Sequence, residues 1–137
     1  MKSCVIIPTL NEENNILKLY KKILKTKINL DVLFIDDNST DNTRLLIKRL
    51  SKHSKKIKFI FRNNKKGIGS AHKDAIKYAY KKKYSLIITM DADGTHDPKY
   101  FKSMISKASL YDYVITSRFK KSNLIRDWPI ERKIITY

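Results

Sequence analysis

The feature that most constrains the fold of this chain is a regular alternation of short apolar runs with segments of helical periodicity. Five apolar runs have the length and composition of buried strands: Cys4 to Ile7, Val32 to Ile35, Ile57 to Phe61, Leu86 to Met90 and Tyr113 to Thr116. Four intervening segments carry apolar residues at helical spacing: Asn15 to Lys25, Thr43 to His53, Ser70 to Lys82 and Lys99 to Lys107. Strands that alternate with helices pair in parallel through crossover connections, so the sequence predicts an open, mostly parallel α/β sheet with helices on both faces.

The length and composition suit a single domain. The chain has 137 residues, 42% of them hydrophobic, which is enough to bury a sheet beneath its helices. We see no signal peptide and no apolar stretch of the roughly 20 residues that a membrane-spanning helix needs. We therefore expect a cytoplasmic protein whose contact with a membrane, if it has one, is peripheral. The single cysteine, Cys4, lies in a predicted strand and is interpreted as a buried thiol.

The net charge predicts phosphate-rich partners. Thirty Lys and Arg residues against 13 Asp and Glu give a formal charge of +17. Nucleic acid, an anionic membrane face and a nucleotide-sugar are all compatible with this charge, but no nucleic-acid-binding module is recognisable, so nucleic acid is not an expected partner. Lysine runs such as Lys81 to Lys83 are interpreted as solvated helix ends.

Two carboxylates follow the fourth predicted strand and form the motif Asp91-Ala92-Asp93. Alternate residues of an extended segment point the same way, so both side chains emerge together at the end of the strand. Such a pair suits Mg²⁺ or Mn²⁺, which takes one or two protein carboxylates and completes its shell with water and diphosphate. A strand-end Asp pair can instead simply cap the next turn. The continuation Gly94 to Pro98 favours the metal site.

Other polar residues follow the remaining strands, where ligands bind in open α/β sheets. Asp37 is a candidate acceptor of hydrogen bonds from a nucleoside, although the segment Asp36 to Asp41 also has the composition of a turn and helix cap. The segment Lys65 to Ser70 offers glycines and a helix start for phosphate, or a flexible surface turn. His96 is interpreted as a capping or supporting residue, and Arg118 as a phosphate clamp.

Taken together, three blocks resemble glycosyltransferase family 2 on a GT-A fold, which has a Rossmann-like nucleotide-binding half: Val5 to Glu13, Ile35 to Ser39 and Met90 to Asp93. Further blocks resemble the polyprenyl-phosphate (dolichyl-phosphate) mannose synthases within that family: Gly67 to Ala71, His96 to Pro98, Ser117 to Phe119, and Trp128-Pro129 with Arg132. Two positions depart from the pattern, because Asn42 and Thr116 stand where glycine is usual.

The resemblance implies a role for each matching residue. The nucleotide-binding residues that it implies are Pro8, Glu12, Ile35, Asp37 and Ala92. The metal ligands that it implies, for Mg²⁺ or Mn²⁺, are Asp91, Asp93 and Thr95. The catalytic residues that it implies are Asp93 and Arg118.

The implied reaction transfers a sugar, expected to be mannose from GDP-mannose, to a polyprenyl phosphate with inversion. A phosphate acceptor is already a nucleophile, so the lack of an evident general base does not argue against it. Two alternatives stay open: a UDP-sugar transferase for a surface glycan, and a non-catalytic fragment that binds nucleotide. Residues 1–137 are expected to form one nucleotide-sugar-binding domain, with 120–137 as the start of an incomplete acceptor region.

Overall fold

The computed structural model describes residues 1–64 and 66–116. The strands are β1 (Ser3–Thr9), β2 (Asp31–Asp36), β3 (Ile57–Phe61) and β4 (Leu86–Thr89). The helices are α1 (Glu13–Lys25), α2 (Thr43–His53), α3 (Ile68–Lys81) and α4 (Phe101–Lys107), with a short 3-10 turn, Pro98–Tyr100, before α4. These eight elements confirm the sequence prediction, and their ends are displaced by at most two residues. Among the described residues, no helix is long and apolar enough to cross a membrane.

The predicted fifth strand is not formed. Tyr113 to Thr116 have no strand hydrogen bonding, and the side chains of Tyr113 and Ile115 are 80% and 72% exposed. The prediction was wrong because an apolar run gives a segment the propensity for a strand but does not supply a neighbouring strand. A β-strand forms only where it makes hydrogen bonds with a neighbouring strand. Within the described part of the chain, no segment pairs with these residues.

All four strands are parallel and lie in the order β3-β2-β1-β4. The central strand β1 pairs with two neighbours, so that Val5 lies opposite both Val32 and Ile88. A strand covered on both faces is apolar throughout rather than in alternation, which explains the continuous run Cys4 to Ile7. Parallel order places the carboxyl ends of all the strands at one edge of the sheet, which we call the rim.

The helices cover both faces of the sheet, as predicted. One face packs against α1, α2 and α4 through Ile16, Ile47 and Phe101. The other face packs against α3 through a row of small side chains at helical spacing: Ala71, Ala75 and Ala79. Alanines let this helix lie close to the strands. Cys4 is buried on the α3 side, and desolvation together with the charge of Asp31 raises the pKa of its thiol to about 11, in agreement with an unreactive buried thiol.

Reciprocal hydrogen bonds join the start of α1 to the start of α2. The backbone N–H of Glu12 donates to the Thr43 hydroxyl at 2.8 Å, and that of Glu13 donates to the Asp41 carboxylate at 3.1 Å. In return, the backbone N–H of Asn42 donates to the Glu13 carboxylate at 2.9 Å. These bonds satisfy N–H groups that a helix start leaves without partners. They also fix the loops that follow β1 and β2 relative to each other.

Candidate functional site

A cavity of about 380 Å³ opens at the rim, between the ends of β1, β2 and β4 and the first turn of α3. Its lining is Pro8, Thr9, Leu10, Glu12, Asp37, Gly67, Ile68, Ala71, Asp91, Ala92 and Asp93. Four of these residues are carboxylates, on a chain whose net charge is strongly positive. The cavity therefore needs a cation before it can hold a diphosphate, which fits the metal site that the sequence predicts.

The loop after β1 shapes one wall of the cavity. Asn11 has a φ of 56°, a left-handed conformation that asparagine tolerates better than most residues. Its backbone N–H donates to the Ser39 hydroxyl at 2.9 Å, and its side-chain oxygen accepts from the backbone N–H of Thr40 at 2.9 Å. The Glu12 carboxylate accepts from the Asn15 amide at 2.7 Å. Glu12 is thus held at the cavity wall through its carboxylate by Asn15 and through its backbone N–H by Thr43.

Two adjacent aspartates at the end of β2 have different environments. Asp36 is fully buried and accepts hydrogen bonds from the hydroxyl groups of Thr9 and Ser39, and it pairs with Arg44 on α2. It lies behind the cavity and fastens the loops that follow β1 and β2. Asp37 lines the cavity itself. The structure therefore separates a structural carboxylate from a candidate ligand-binding one.

Asp37 holds the loop that leads into α3. Its carboxylate accepts from the backbone N–H groups of Lys66 at 3.0 Å and Gly67 at 2.7 Å. Gly67 has a φ of 85°, which favours glycine at this position. The segment Lys65 to Ser70 was predicted to be a phosphate site or a surface turn. Its described part is held at the cavity wall by Asp37, the residue that was predicted to bind the nucleoside.

Arg62, the residue that follows β3, was not predicted as a site residue from the sequence. Its side chain is only 5% exposed and contacts the Asp37 carboxylate at 3.0 Å. The same guanidinium donates to the Gly67 carbonyl at 3.3 Å and the Ser70 hydroxyl at 2.5 Å, and its Nε lies 3.5 Å from Asp74. One buried arginine therefore joins the end of β2 to the start of α3. Its place directly after a strand was the available sequence signal.

Asp91 and Asp93 both line the cavity, at the end of β4 where the sequence predicts them, although the segment turns at residues 92–93 and is not extended. The backbone N–H of Asp91 donates to Nδ1 of His96 at 2.9 Å, so this ring nitrogen is the acceptor of the bond. Nε2 of His96 then faces the Asp91 carboxylate at 3.8 Å. The geometry is that of a supporting residue, as the sequence indicated for His96.

Asp93 is positioned by the residue two places further on. The backbone N–H and the hydroxyl of Thr95 both donate to Oδ1 of Asp93, at 2.9 and 2.7 Å. Gly94, between them, has a φ of 82° and allows this tight turn. Thr95 was predicted as a metal ligand. The structure places its hydroxyl on a carboxylate of the pair, and a role for Thr95 as a metal ligand stays a prediction.

Asp91 and Asp93 suit Mg²⁺ or Mn²⁺, because these ions take few ligands from the protein. Among residues 1–64 and 66–116 there is no group of three or more His, Cys, Asp or Glu that could hold a metal ion. A magnesium ion that is shared with a diphosphate takes only one or two carboxylates from the protein. Asp91 and Asp93, both at the cavity, meet that requirement.

The other predicted site residues differ in position. Pro8 and Ala92 line the cavity with Glu12. Ile35 does not: its side chain is fully buried and packs in the core on the α3 side, so the structure offers no Ile35 side chain to a nucleotide. Arg118 lies outside the described residues.

Comparison with known proteins places the chain in a family. Residues 4–136 match the family model "Glycosyl transferase family 2". The chain is 28% identical to a polyprenol monophosphomannose synthase of Mycolicibacterium smegmatis, an alignment that covers 98% of the chain and 52% of the relative. It is 33% identical to a dolichol-phosphate mannosyltransferase of Pyrococcus furiosus, with 99% and 38% covered. The chain thus spans about half the length of these relatives, or less.

Two solved structures share the fold. S. aureus TarS in complex with UDP has a TM-score of 0.70 at 22% identity, over 88% of the chain and 40% of that structure. The mannosyltransferase PcManGT of Pyrobaculum calidifontis, solved with GDP-Man and Mn²⁺, has a TM-score of 0.60 at 24% identity, over 67% and 27%. With the family match across nearly all its residues, this chain belongs to glycosyltransferase family 2.

Proposed function

We propose that the rim cavity binds the sugar donor of a polyprenyl-phosphate mannose synthase, with GDP-mannose as the donor and a polyprenyl phosphate as the acceptor. The observation that carries the proposal is the meeting of Asp37, Asp91 and Asp93 in one cavity at the rim. Ligands of open α/β sheets bind at this edge. The names of the two relatives support mannose and a lipid phosphate as the transferred sugar and the acceptor.

In this proposal the cavity is divided between nucleoside and diphosphate. Pro8, Glu12 and Asp37 contact the nucleoside, because they line the side formed by β1 and β2. Asp91 and Asp93 hold Mg²⁺ or Mn²⁺, which would neutralise charge on the leaving diphosphate when bound. Thr95 and His96 keep this pair in place through the bonds described above, and a fixed donor set is what a metal site requires.

The proposed reaction requires the described residues mainly to orient the sugar donor. A phosphate oxygen of the acceptor attacks the anomeric carbon from the face opposite the diphosphate. The bond between the anomeric carbon and the diphosphate oxygen breaks, and the configuration at the anomeric carbon is inverted. The nucleophile is already anionic, so no general base is required. The main contribution of the chain is to hold the donor so that the attack can occur at near-contact distance.

Nucleotide selectivity tests the proposal against a UDP-sugar transferase. A ligand that binds only the folded state raises the melting temperature of the protein. We expect GDP-mannose with Mn²⁺ to raise it by more than UDP-glucose with Mn²⁺ at equal concentration. A larger shift with UDP-glucose would replace the proposed donor and leave the cavity assignment intact.

The metal role is tested by calorimetry with and without chelator. We expect GDP to bind the wild-type chain more tightly with Mn²⁺ than in excess chelator, and Asp93→Ala to abolish that difference. Asp112→Ala is a matched control, because Asp112 is an exposed carboxylate that does not line the cavity. If the wild type binds GDP equally well in chelator, Asp91 and Asp93 do not hold a metal.

A further inference from the structure

Charge is segregated over the described residues. Most acidic side chains lie near the rim, where they line the cavity or hold its loops. Residues 14–30 and 42–56, which contain nearly all of α1 and the whole of α2, include no Asp or Glu at all. Beyond Glu13, the first residue of α1, the two helices are therefore basic and carry no acid of their own, and Asp97, just before the 3-10 turn, is an acid that interacts with Lys22 of α1.

The two helices contact each other on one face of the sheet. Their starts are joined by the bonds of Glu12, Glu13 and Asn42, and both pack on the same face of the sheet. We use the name α1/α2 face for a set of their exposed side chains: Leu17, Lys18, Lys21 and Lys25 from α1, and Leu45, Lys48, Arg49 and Lys52 from α2. Leu17 is 43% and Leu45 46% exposed. The face thus combines six cations with apolar side chains.

We infer that the α1/α2 face docks on the surface of an anionic lipid bilayer. The inference deepens the proposed function and rests on it, because a polyprenyl-phosphate acceptor resides in a membrane. Basic side chains near an anionic surface attract it additively, and leucines among them can enter the headgroup region. Docking through helices on one side of the sheet leaves the rim cavity uncovered for the donor.

The composition of the face favours lipid over nucleic acid. Five of its six cations are lysines, which attract a charged surface without the paired hydrogen bonds that arginine makes to phosphates and bases. Exposed leucines contribute to binding at a bilayer but not along a phosphate backbone. The outward side of α3 is a poorer candidate, because α3 contains Asp74 beside its lysines.

Vesicle co-sedimentation of the full chain tests the inference. The probes are phosphatidylcholine vesicles, with or without phosphatidylglycerol, in the absence of nucleotide. The test variant carries Lys18→Glu, Lys21→Glu and Lys48→Glu. The control carries Lys73→Glu, Lys77→Glu and Lys81→Glu on α3, so both variants have the same net charge. Corresponding Lys→Gln variants serve if a Glu variant does not fold, as judged by its melting temperature.

We expect wild-type chain to bind the anionic vesicles only, the test variant to bind on the order of 100-fold more weakly, and the control to stay within a few-fold of wild type. Equal losses in both variants, or equal wild-type binding to neutral vesicles, would overturn the inference. So would a test variant that loses binding to duplex DNA but keeps binding to vesicles. Sugar transfer is not measured, so failure here is distinct from failure of the donor test.

Discussion

Arg62 is the residue whose replacement tests the architecture of the site most directly. The Arg62 side chain is 5% exposed and pairs with Asp37, whose side chain is 7% exposed. Arg62→Ala removes this ion pair and also the hydrogen bonds that the guanidinium donates to Gly67 and Ser70. Breaking a buried ion pair by removing one partner costs about 3 to 5 kcal/mol. Asp37 keeps the backbone N–H groups of Lys66 and Gly67, so we expect the lower end, about 3 kcal/mol.

That loss is a large share of the roughly 5 to 15 kcal/mol by which a domain is stable. For a chain of this size it lowers the melting temperature by about 10 °C. Circular dichroism during heating and urea unfolding measure the change. Arg49→Ala is the matched control, since Arg49 is exposed on α2 and its loss should change stability by less than about 0.5 kcal/mol.

A double-mutant cycle isolates the contact itself. Asp37→Asn, Arg62→Ala and the double variant should show a coupling energy of about 1 to 3 kcal/mol between the two side chains. Arg62→Lys should recover part of the loss, since lysine restores a charge but not the planar set of donors. If Arg62→Ala were no more destabilising than Arg49→Ala, Arg62 would not hold Asp37 and the α3 loop together.

Three further predictions concern single side chains. His96→Ala removes the acceptor of the Asp91 backbone N–H and should weaken Mn²⁺-dependent GDP binding several-fold in calorimetry. The control is His53→Ala, because His53 is exposed on α2, and it should leave GDP binding unchanged. If both variants weaken GDP binding equally, His96 does not support the metal site. A backbone hydrogen bond at the 3-10 turn lowers the pKa of Asp97 from 3.8, so its stabilisation is present above that value and is lost as pH falls through the lowered pKa. Asp97→Ala should therefore cost about 1 kcal/mol at neutral pH and progressively less below about pH 4, and a cost independent of pH in thermal melts would contradict this. Arg118→Ala should weaken GDP binding by roughly tenfold to a hundredfold and leave the melting temperature unchanged. Arg118→Lys should recover part of the lost affinity. If Arg118→Ala binds GDP as tightly as the wild type, Arg118 does not clamp a phosphate.

Much of the site followed from local sequence. Periodicity located β4, and the residues directly after it had to emerge at the rim, so the sequence alone was enough to place Asp91 and Asp93 there. The same reasoning from β2 placed Asp37 at the rim. The sheet order β3-β2-β1-β4 puts β1 next to both β2 and β4, which is why loops distant in sequence share one cavity.

The differing roles of Asp36 and Asp37 needed the tertiary structure. Both are acidic and both lie at the end of β2, so composition cannot tell them apart. Their roles depend on partners from other elements: Asp36 meets Thr9 from β1 and Arg44 from α2, while Asp37 meets Arg62 and the loop before α3.

What the sequence determined by itself was whatever depends on local periodicity: the eight elements, their parallel arrangement, and which polar segments follow the strands. Only the tertiary structure decided which polar groups meet, because hydrogen bonds such as those of Arg62 join segments whose separation in space the pattern does not encode. The segment Tyr113 to Thr116 shows the limit. Its residues favour a strand, but a strand forms only where a neighbour supplies the hydrogen bonds, and the presence of that neighbour is a property of the fold.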